Sequence, residues 1–291
     1  MVTMKVAMEN AHEMLHDYHV LSVPPELFEL EELLQAESPN TQLIANVISR
    51  HPDMLGKFLG VANQALNRTE DNLIIDPKTA VMLLGVDEVH ALFVASYLAK
   101  KLPASDIDHK IIQRNVRAGI VAAELSYWVH EVNRSEAYLV SFMQDVGAIY
   151  MLRLGAENYA EKFINVQIDR PRHGYLMELE NFQTSHAHIG SIIASRWRLN
   201  KFLTKTILLH HEDIYESVES YDSKVAKMIA LIQLANSIVF EMCSDHFMTG
   251  EMKKNTEHAV AYLGLNDNAL AAAKAALLKW GDAETLPYFS H

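Results

Sequence analysis

The chain of 291 residues is 49% hydrophobic and 21% charged, which suffices for a large core and leaves room for one large domain or two lobes. A formal net charge of −12 argues against general nucleic-acid binding, because duplex affinity rests largely on Lys and Arg neutralising phosphates. The single cysteine, Cys243, excludes an internal disulfide framework and fits a cytoplasmic protein; no apolar run approaches the roughly 20 residues of a membrane span, and MVTMKVAMENAHEML lacks the pattern of a secretion signal.

Helical periodicity with start and stop signals runs through almost every segment, and alternating β-branched runs are missing, so the sequence is read as all-α. Residues 2–19 are expected to form a first amphipathic helix, with His12, His16 and His19 on its polar face. Pro24-Pro25 breaks the chain and opens a second helix through Leu34, and Ser38-Pro39-Asn40 is a turn. Helices over Thr41–Ser49, Pro52–Leu66 and Pro77–Leu84 follow, the last closed by Gly85. Asp87 caps a helix to about Lys101. Leu102-Pro103-Ala104-Ser105 then reads as the boundary between an N-terminal helical lobe, 1–105, and a second helical lobe, 106–291. Asp106 caps a long helix to about Val132, Ser135 caps the next, and residues 158–166 read as helical before a surface loop at Asp169-Arg170-Pro171-Arg172. Thr184 caps a helix through Arg198, and Asn200 caps another through His211. Arg196, Arg198, Lys201 and Lys205 lie on this pair at helical spacing and read as a solvated face. Two further helices cover Ser223–Cys243 and Asn268–Trp280.

The stretch SFMQDVGAIYM, Ser141 to Met151, places a charge, Asp145, in an otherwise apolar helix. Phe142, Val146, Ile149 and Leu152 share one face. A bare carboxylate beside that face costs several kcal/mol unless it is paired, hydrogen-bonded or metal-bound. Gln144, just before it, cannot ionise and is a poor metal ligand. His188 and His211 each lie about 11 residues from the Leu199-Asn200 turn, so both stand about 17 Å along antiparallel helices and at one height. His173 and His186 are read as exposed. Ser141 and Cys243 have no recognisable base nearby, and no glycine-rich phosphate loop occurs.

Over residues 20–215 the order of landmarks resembles the HDOD family, a helical branch related to the HD metal-dependent phosphohydrolases. The segments that carry the resemblance are VPPELFELEELL, VISRHPDMLGKFLGVANQA, DPKTAVMLLGVDEVHAL, FMQDVGAIYM and HAHIGSIIASRWRLNKFLTKTILLHHE. It implies an N-terminal helical lobe followed by an HD-like lobe. Active HD enzymes hold metal through a first His, a His-Asp pair and a distant Asp, often with extra histidines. At the matching positions this chain has Asn115, Gln144 and Asn236, with Asp145 retained, and Ala148 stands where a phosphate-steadying Lys is expected.

Asp145, His188, His210 and His211 therefore remain as vestigial metal-site candidates. The other reading, preferred here, is a buried network in which Asp145 accepts bonds from Gln144, Asn115 or a histidine. No catalytic residue and no cofactor are expected, with a divalent metal as the alternative. The function implied is a non-catalytic regulatory or interaction protein of bacterial signal transduction, binding a partner protein or a small ligand. The enzyme reading is a divergent metal-dependent phosphohydrolase using Asp145, His188, His210 and His211.

Overall fold

A computed structural model describes residues 2–16, 18, 20–50, 52–66, 68–154, 159, 166–212 and 222–281. The fold is all-α, with no strand among the described residues. The chain divides into two compact units, one of residues 21–105 and one formed by residues 1–20 together with 106–291.

The smaller unit holds α2 (Pro25–Leu34), α3 (Thr41–Ser49), α4 (Pro52–Ala65), α5 (Pro77–Leu84) and α6 (Val86–Lys101). Local chemistry sets these boundaries. Asn40 accepts from the backbone of Gln42 and Leu43 to start α3, and Asp76 caps α5 ahead of Pro77. Gly85, at φ +82°, ends α5 in a conformation that disfavours residues with a Cβ, and α6 begins at the next residue. The side chain of Asp87, expected as the cap of α6, lies outside what is described. The buried Asn63 amide brackets Ile74, donating to its carbonyl at 3.0 Å and accepting from its N–H at 2.8 Å, which satisfies a loop that no helix serves.

The larger unit begins with α1 (Met4–Met14), which packs on a later helix and buries Ala7 and Ala11. Thr184 Oγ1 donates to Ala7 O at 2.8 Å and Asn10 Nδ2 to Gln183 O at 3.0 Å. This corrects the expected lobe of 1–105: its first twenty residues belong with residues 106–291. There follow α7 (Asp106–Leu125), α8 (Arg134–Met143), α9 (Val146–Arg153), α10 (Pro171–Phe182), α11 (His186–Arg196), α12 (Lys201–Leu209), α13 (Ser223–Cys243), α14 (Gly250–Leu263) and α15 (Asp267–Trp280).

Several boundaries differ from expectation, each for a local reason. The helix after Asp106 stops at Leu125 in a 3-10 turn rather than reaching Val132. Asn133, not Ser135, caps α8, its Oδ1 accepting from the Ser135 and Glu136 amides. The Asp169–Arg172 run is not a loop throughout, because Pro171 opens α10 at the position where its missing N–H costs nothing. Ser185 rather than Thr184 precedes α11, and Thr249 caps the unanticipated α14, which Gly264 ends at φ +65°. The helix expected over 158–166 lies outside the described residues except Tyr159 and Val166. Contrary to the reading of the apolar runs, α13 is long and apolar enough to cross a membrane by length and composition. It is nevertheless 78% buried within the unit over its most apolar stretch, as a core helix would be.

The decisive departure is at Asp145. One helix was expected through Met151, but α8 ends at Met143 and α9 starts at Val146, so Gln144 and Asp145 occupy the break. There the Asp145 carboxylate turns into the interior with only 3% of the residue exposed.

Candidate functional site

Five helices and the break between α8 and α9 deliver polar groups to one buried point. From α7 comes Arg114, whose Nη1 lies 2.6 Å from Asp145 Oδ2, both side chains nearly excluded from solvent. This is the partner the buried charge requires, and it replaces the expected donors Gln144 and Asn115. Next to it, Asn115 donates from Nδ2 to Phe142 O at 3.0 Å, across the end of α8, while its Oδ1 has no hydrogen-bond partner. Gln144 and Asn236 (on α13) clasp each other, Gln144 Nε2 donating to Asn236 Oδ1 at 2.9 Å and Asn236 Nδ2 to Gln144 Oε1 at 2.7 Å. Ala148 is fully buried and brings no cation to the site.

Asp145, His186, His210 and His211 come together, each with a ligand-type atom within 4.8 Å of the others. The Nε2 atoms of His186 and His210 are 3.5 and 4.0 Å from Asp145 Oδ1. His186 Nε2 is 3.4 Å from His210 Nε2 and 2.9 Å from His211 Nε2. The outer faces of these rings are also held. His186 Nδ1 lies 2.7 Å from Glu178 Oε2, and His210 Nδ1 lies 2.7 Å from Ile207 O. Glu178 accepts from the His186 backbone N–H and, on its other oxygen, from the Tyr159 hydroxyl at 2.7 Å. Gln167 Nε2 donates to His211 Nε2 at 2.9 Å.

Of the four sequence candidates, Asp145, His210 and His211 meet and His188 does not. Equal height along two helices says nothing about which face a residue occupies, and residues two positions apart on a helix, such as His186 and His188, point about 200° apart. His188 therefore faces away from the cluster. Its Nδ1 is 2.7 Å from Ser185 Oγ, its Nε2 has no hydrogen-bond partner, and its ring lies parallel to Tyr175. His186, read as exposed, is fully buried and takes the place assigned to His188. One signal in the sequence could have found it. Gly190 lies four residues after His186, hence on the same face, and that face meets Gly147 at the start of α9. Glu178 and Arg114 carried no such signal.

The positions that the family resemblance assigns to metal do not fit one. Asn115, Gln144 and Asn236 offer neutral amides, and the last two are already saturated by each other.

The cluster has an asymmetric charge state. Burial opposes charge on His186, but the Glu178 carboxylate, by charge and hydrogen bond, together with Asp145, outweighs it and raises the pKa. Burial first, then the charge of His186, pushes His210 down to about 4. Burial, followed by His210 and His186, holds His211 well below the ordinary imidazole range, and burial with His186 lowers His188 to about 4. His186 Nε2 lies 2.9 Å from His211 Nε2, the same atom that Gln167 Nε2 faces.

These shifts fix a pH dependence. The unfolded chain takes up protons on its histidines below about pH 6.5, whereas His188, His210 and His211 stay neutral in the fold, so stability falls from about pH 6.5 towards 4. His210 alone accounts for about 3 kcal/mol across that window. His186 acts with the opposite sign: its contribution is complete below about pH 6.5 and is lost as pH rises through its elevated value. Three groups outweigh one. The calorimetric midpoint of chelator-treated protein is expected to drop between pH 7 and pH 5, and a midpoint constant over that range would contradict the buried, neutral state of these rings.

A cavity of about 210 Å³ borders the cluster, with Arg114, His210, His211 and Asn236 on its floor and Arg172 and Lys254 in its wall.

The HDOD domain model matches residues 20–213. An HDOD domain protein of unknown function from Geobacter sulfurreducens superposes with a TM-score of 0.71 at 17% identity, covering 99% of this chain and 100% of that one. A candidate phosphohydrolase from Shewanella amazonensis SB2B gives 0.67 at 18% identity over 94% and 95% of the two chains. A candidate signal transduction protein from Marinobacter aquaeolei VT8 gives 0.65 at 14% identity, over 95% of this chain and 65% of that one. No curated protein matches the sequence. At such identities the superpositions establish the fold and nothing finer. The helical fold and the domain match, spanning more than half of the residues, lead to one assignment: the chain belongs to the HDOD family.

Proposed function

We propose that this HDOD protein is a non-catalytic regulatory or interaction protein of bacterial signal transduction. The observation that carries this reading is the reciprocal amide clasp of Gln144 and Asn236, which occupies two positions where the related hydrolases hold metal. Hydrolysis of a phosphate ester by that chemistry needs an ion with open coordination positions, an activated water and a cation for the phosphate. Here the third resemblance-assigned ligand is Asn115, and the position for the phosphate cation is Ala148. The solved relative from Marinobacter that is described as a candidate signal transduction protein is consistent with a regulatory role.

A divergent phosphohydrolase is the second reading. It draws on the Asp145 and histidine cluster and on Arg172 and Lys254 in the adjoining cavity, whose lining also carries Glu212 and Glu251. The two readings differ in turnover: the first expects background hydrolysis of phosphate esters with divalent metal supplied, the second a rate that a chelator removes.

A further inference from the structure

We infer that the outer face of α5, together with the extended segment Leu73–Ile75 that leads into it and Leu43 on α3, docks a second copy of this chain to form a two-fold symmetric dimer. The inference goes beyond the regulatory reading and does not depend on it.

Local structure holds this face open. Asn63 engages both backbone groups of Ile74, whose side chain is buried, and side chains alternate along an extended segment, so Leu73 and Ile75 turn outward together. Ile75 is left 84% exposed. Asp76 and Pro77 then start α5, in which Ala80, Val81 and Leu84 turn inward while Lys78, Thr79, Met82 and Leu83 make the outer face. Met82 is 64% exposed. The neighbouring helix α3 packs against α5 and exposes Leu43.

The size of the face points to a second copy. Leu43, Leu73, Ile75, Met82 and Leu83 expose roughly 500 Å² in total, near the upper end for the largest apolar patch of a monomer. With the polar residues between and around them, the face approaches the roughly 800 Å² per partner of a stable interface, and about two-thirds of it is apolar, as in homodimers rather than transient complexes. The side chains are held in place before contact, which lowers the entropy lost on docking.

Charge selects the orientation. Parallel α5 helices would set Lys78 against Lys78 and align their dipoles side by side. A two-fold axis across the middle of α5 makes the helices antiparallel instead, and each Lys78, near the start of its own helix, then meets the carbonyl end of the other copy's α5. Glu70 and Asp71 are exposed just before Leu73, and each copy carries a formal charge of −12, so charge repulsion opposes association and salt screens it.

The test is sedimentation equilibrium of the full chain. The wild type is expected to be dimeric at about 100 µM, to dissociate on dilution, and to associate at least as tightly in about 0.5 M sodium chloride as in about 0.05 M. Ile75→Ser and Met82→Ser should each weaken association about 10-fold or more. Lys78→Glu should weaken it as well, although a carboxylate suits the first turn of α5 and leaves the monomer sound. Phe247→Ser removes an exposed side chain of the larger unit and should change nothing. Circular dichroism checks that each variant folds; if a serine variant loses helicity, Lys78→Glu decides. A chain still monomeric at about 200 µM would leave the face to a different protein and overturn the proposal. A dimer indifferent to Ile75→Ser, Met82→Ser and Lys78→Glu would also overturn it. Neither result touches the regulatory reading, and turnover of a phosphate ester would overturn that reading without touching the dimer.

Discussion

Gly147→Ala is expected to be the most damaging glycine-to-alanine change among the described residues. An added Cβ would lie 2.0 Å from the His186 carbonyl oxygen and 2.6 Å from the Gly190 nitrogen. Both are backbone atoms and cannot rotate away, so α9 and α11 would have to part. That separation moves His186 from Asp145 and opens the cluster. Losses above about 4 kcal/mol are exceptional for point substitutions and come from overpacking of this kind. The thermal midpoint should fall by on the order of 10 °C or more in calorimetry. Gly60→Ala is the control. It also sits in a helix, nothing lies within 4 Å of its added Cβ, and alanine's helix preference should make the change neutral or mildly stabilising. Equal midpoints for the two variants would refute the close approach of α9 and α11.

The second large effect belongs to the Arg114 and Asp145 pair. Asp145→Ala leaves the guanidinium of Arg114 in a site where its side chain is 9% exposed, and breaking one partner of a buried pair typically costs about 3–5 kcal/mol. The adjoining cavity lets water reach Arg114, which argues for the lower end of that range. Replacing both residues with apolar ones of similar volume, Arg114→Met with Asp145→Leu, should recover much of the loss, because the penalty is that of a charge left alone. Urea denaturation of the two single variants and the double variant closes this cycle. A loss below about 1 kcal/mol for Asp145→Ala would mean that the pair is not desolvated.

Much of the fold was legible because helices announce themselves locally. Apolar spacing placed α3, α5 and α13, and Gly85 marked an end that its backbone angle explains. The break at Gln144-Asp145 was not legible. Apolar periodicity continues through it, and what fixes it is the close packing of α9 against α11, a contact between residues about forty positions apart. The placement of α1 failed for the same reason, since its partner near Thr184 is 177 residues away in sequence.

In the candidate site, the need for a partner at Asp145 followed from burial alone. Its identity did not, since Arg114 lies 31 residues upstream on a helix whose face could not be oriented without coordinates. The histidines were narrowed to the right two helices and then assigned to the wrong face of one of them. Height was deduced from residue count, while facing depends on rotation, and only the glycines at 147 and 190 encode it.

The proposed lack of phosphate-ester hydrolysis is tested most directly by turnover of a generic phosphodiester, such as bis(4-nitrophenyl) phosphate, with zinc or manganese supplied. Wild-type protein and Gln144→His are assayed side by side, each with and without chelator. Both are expected to remain at background, because one restored histidine opens the clasp with Asn236 but leaves Asn115 and Ala148 unchanged, and cooperating groups of this kind do not act singly. Wild-type turnover that is abolished both by chelator and by Asp145→Ala, in a variant shown to be folded, would contradict it.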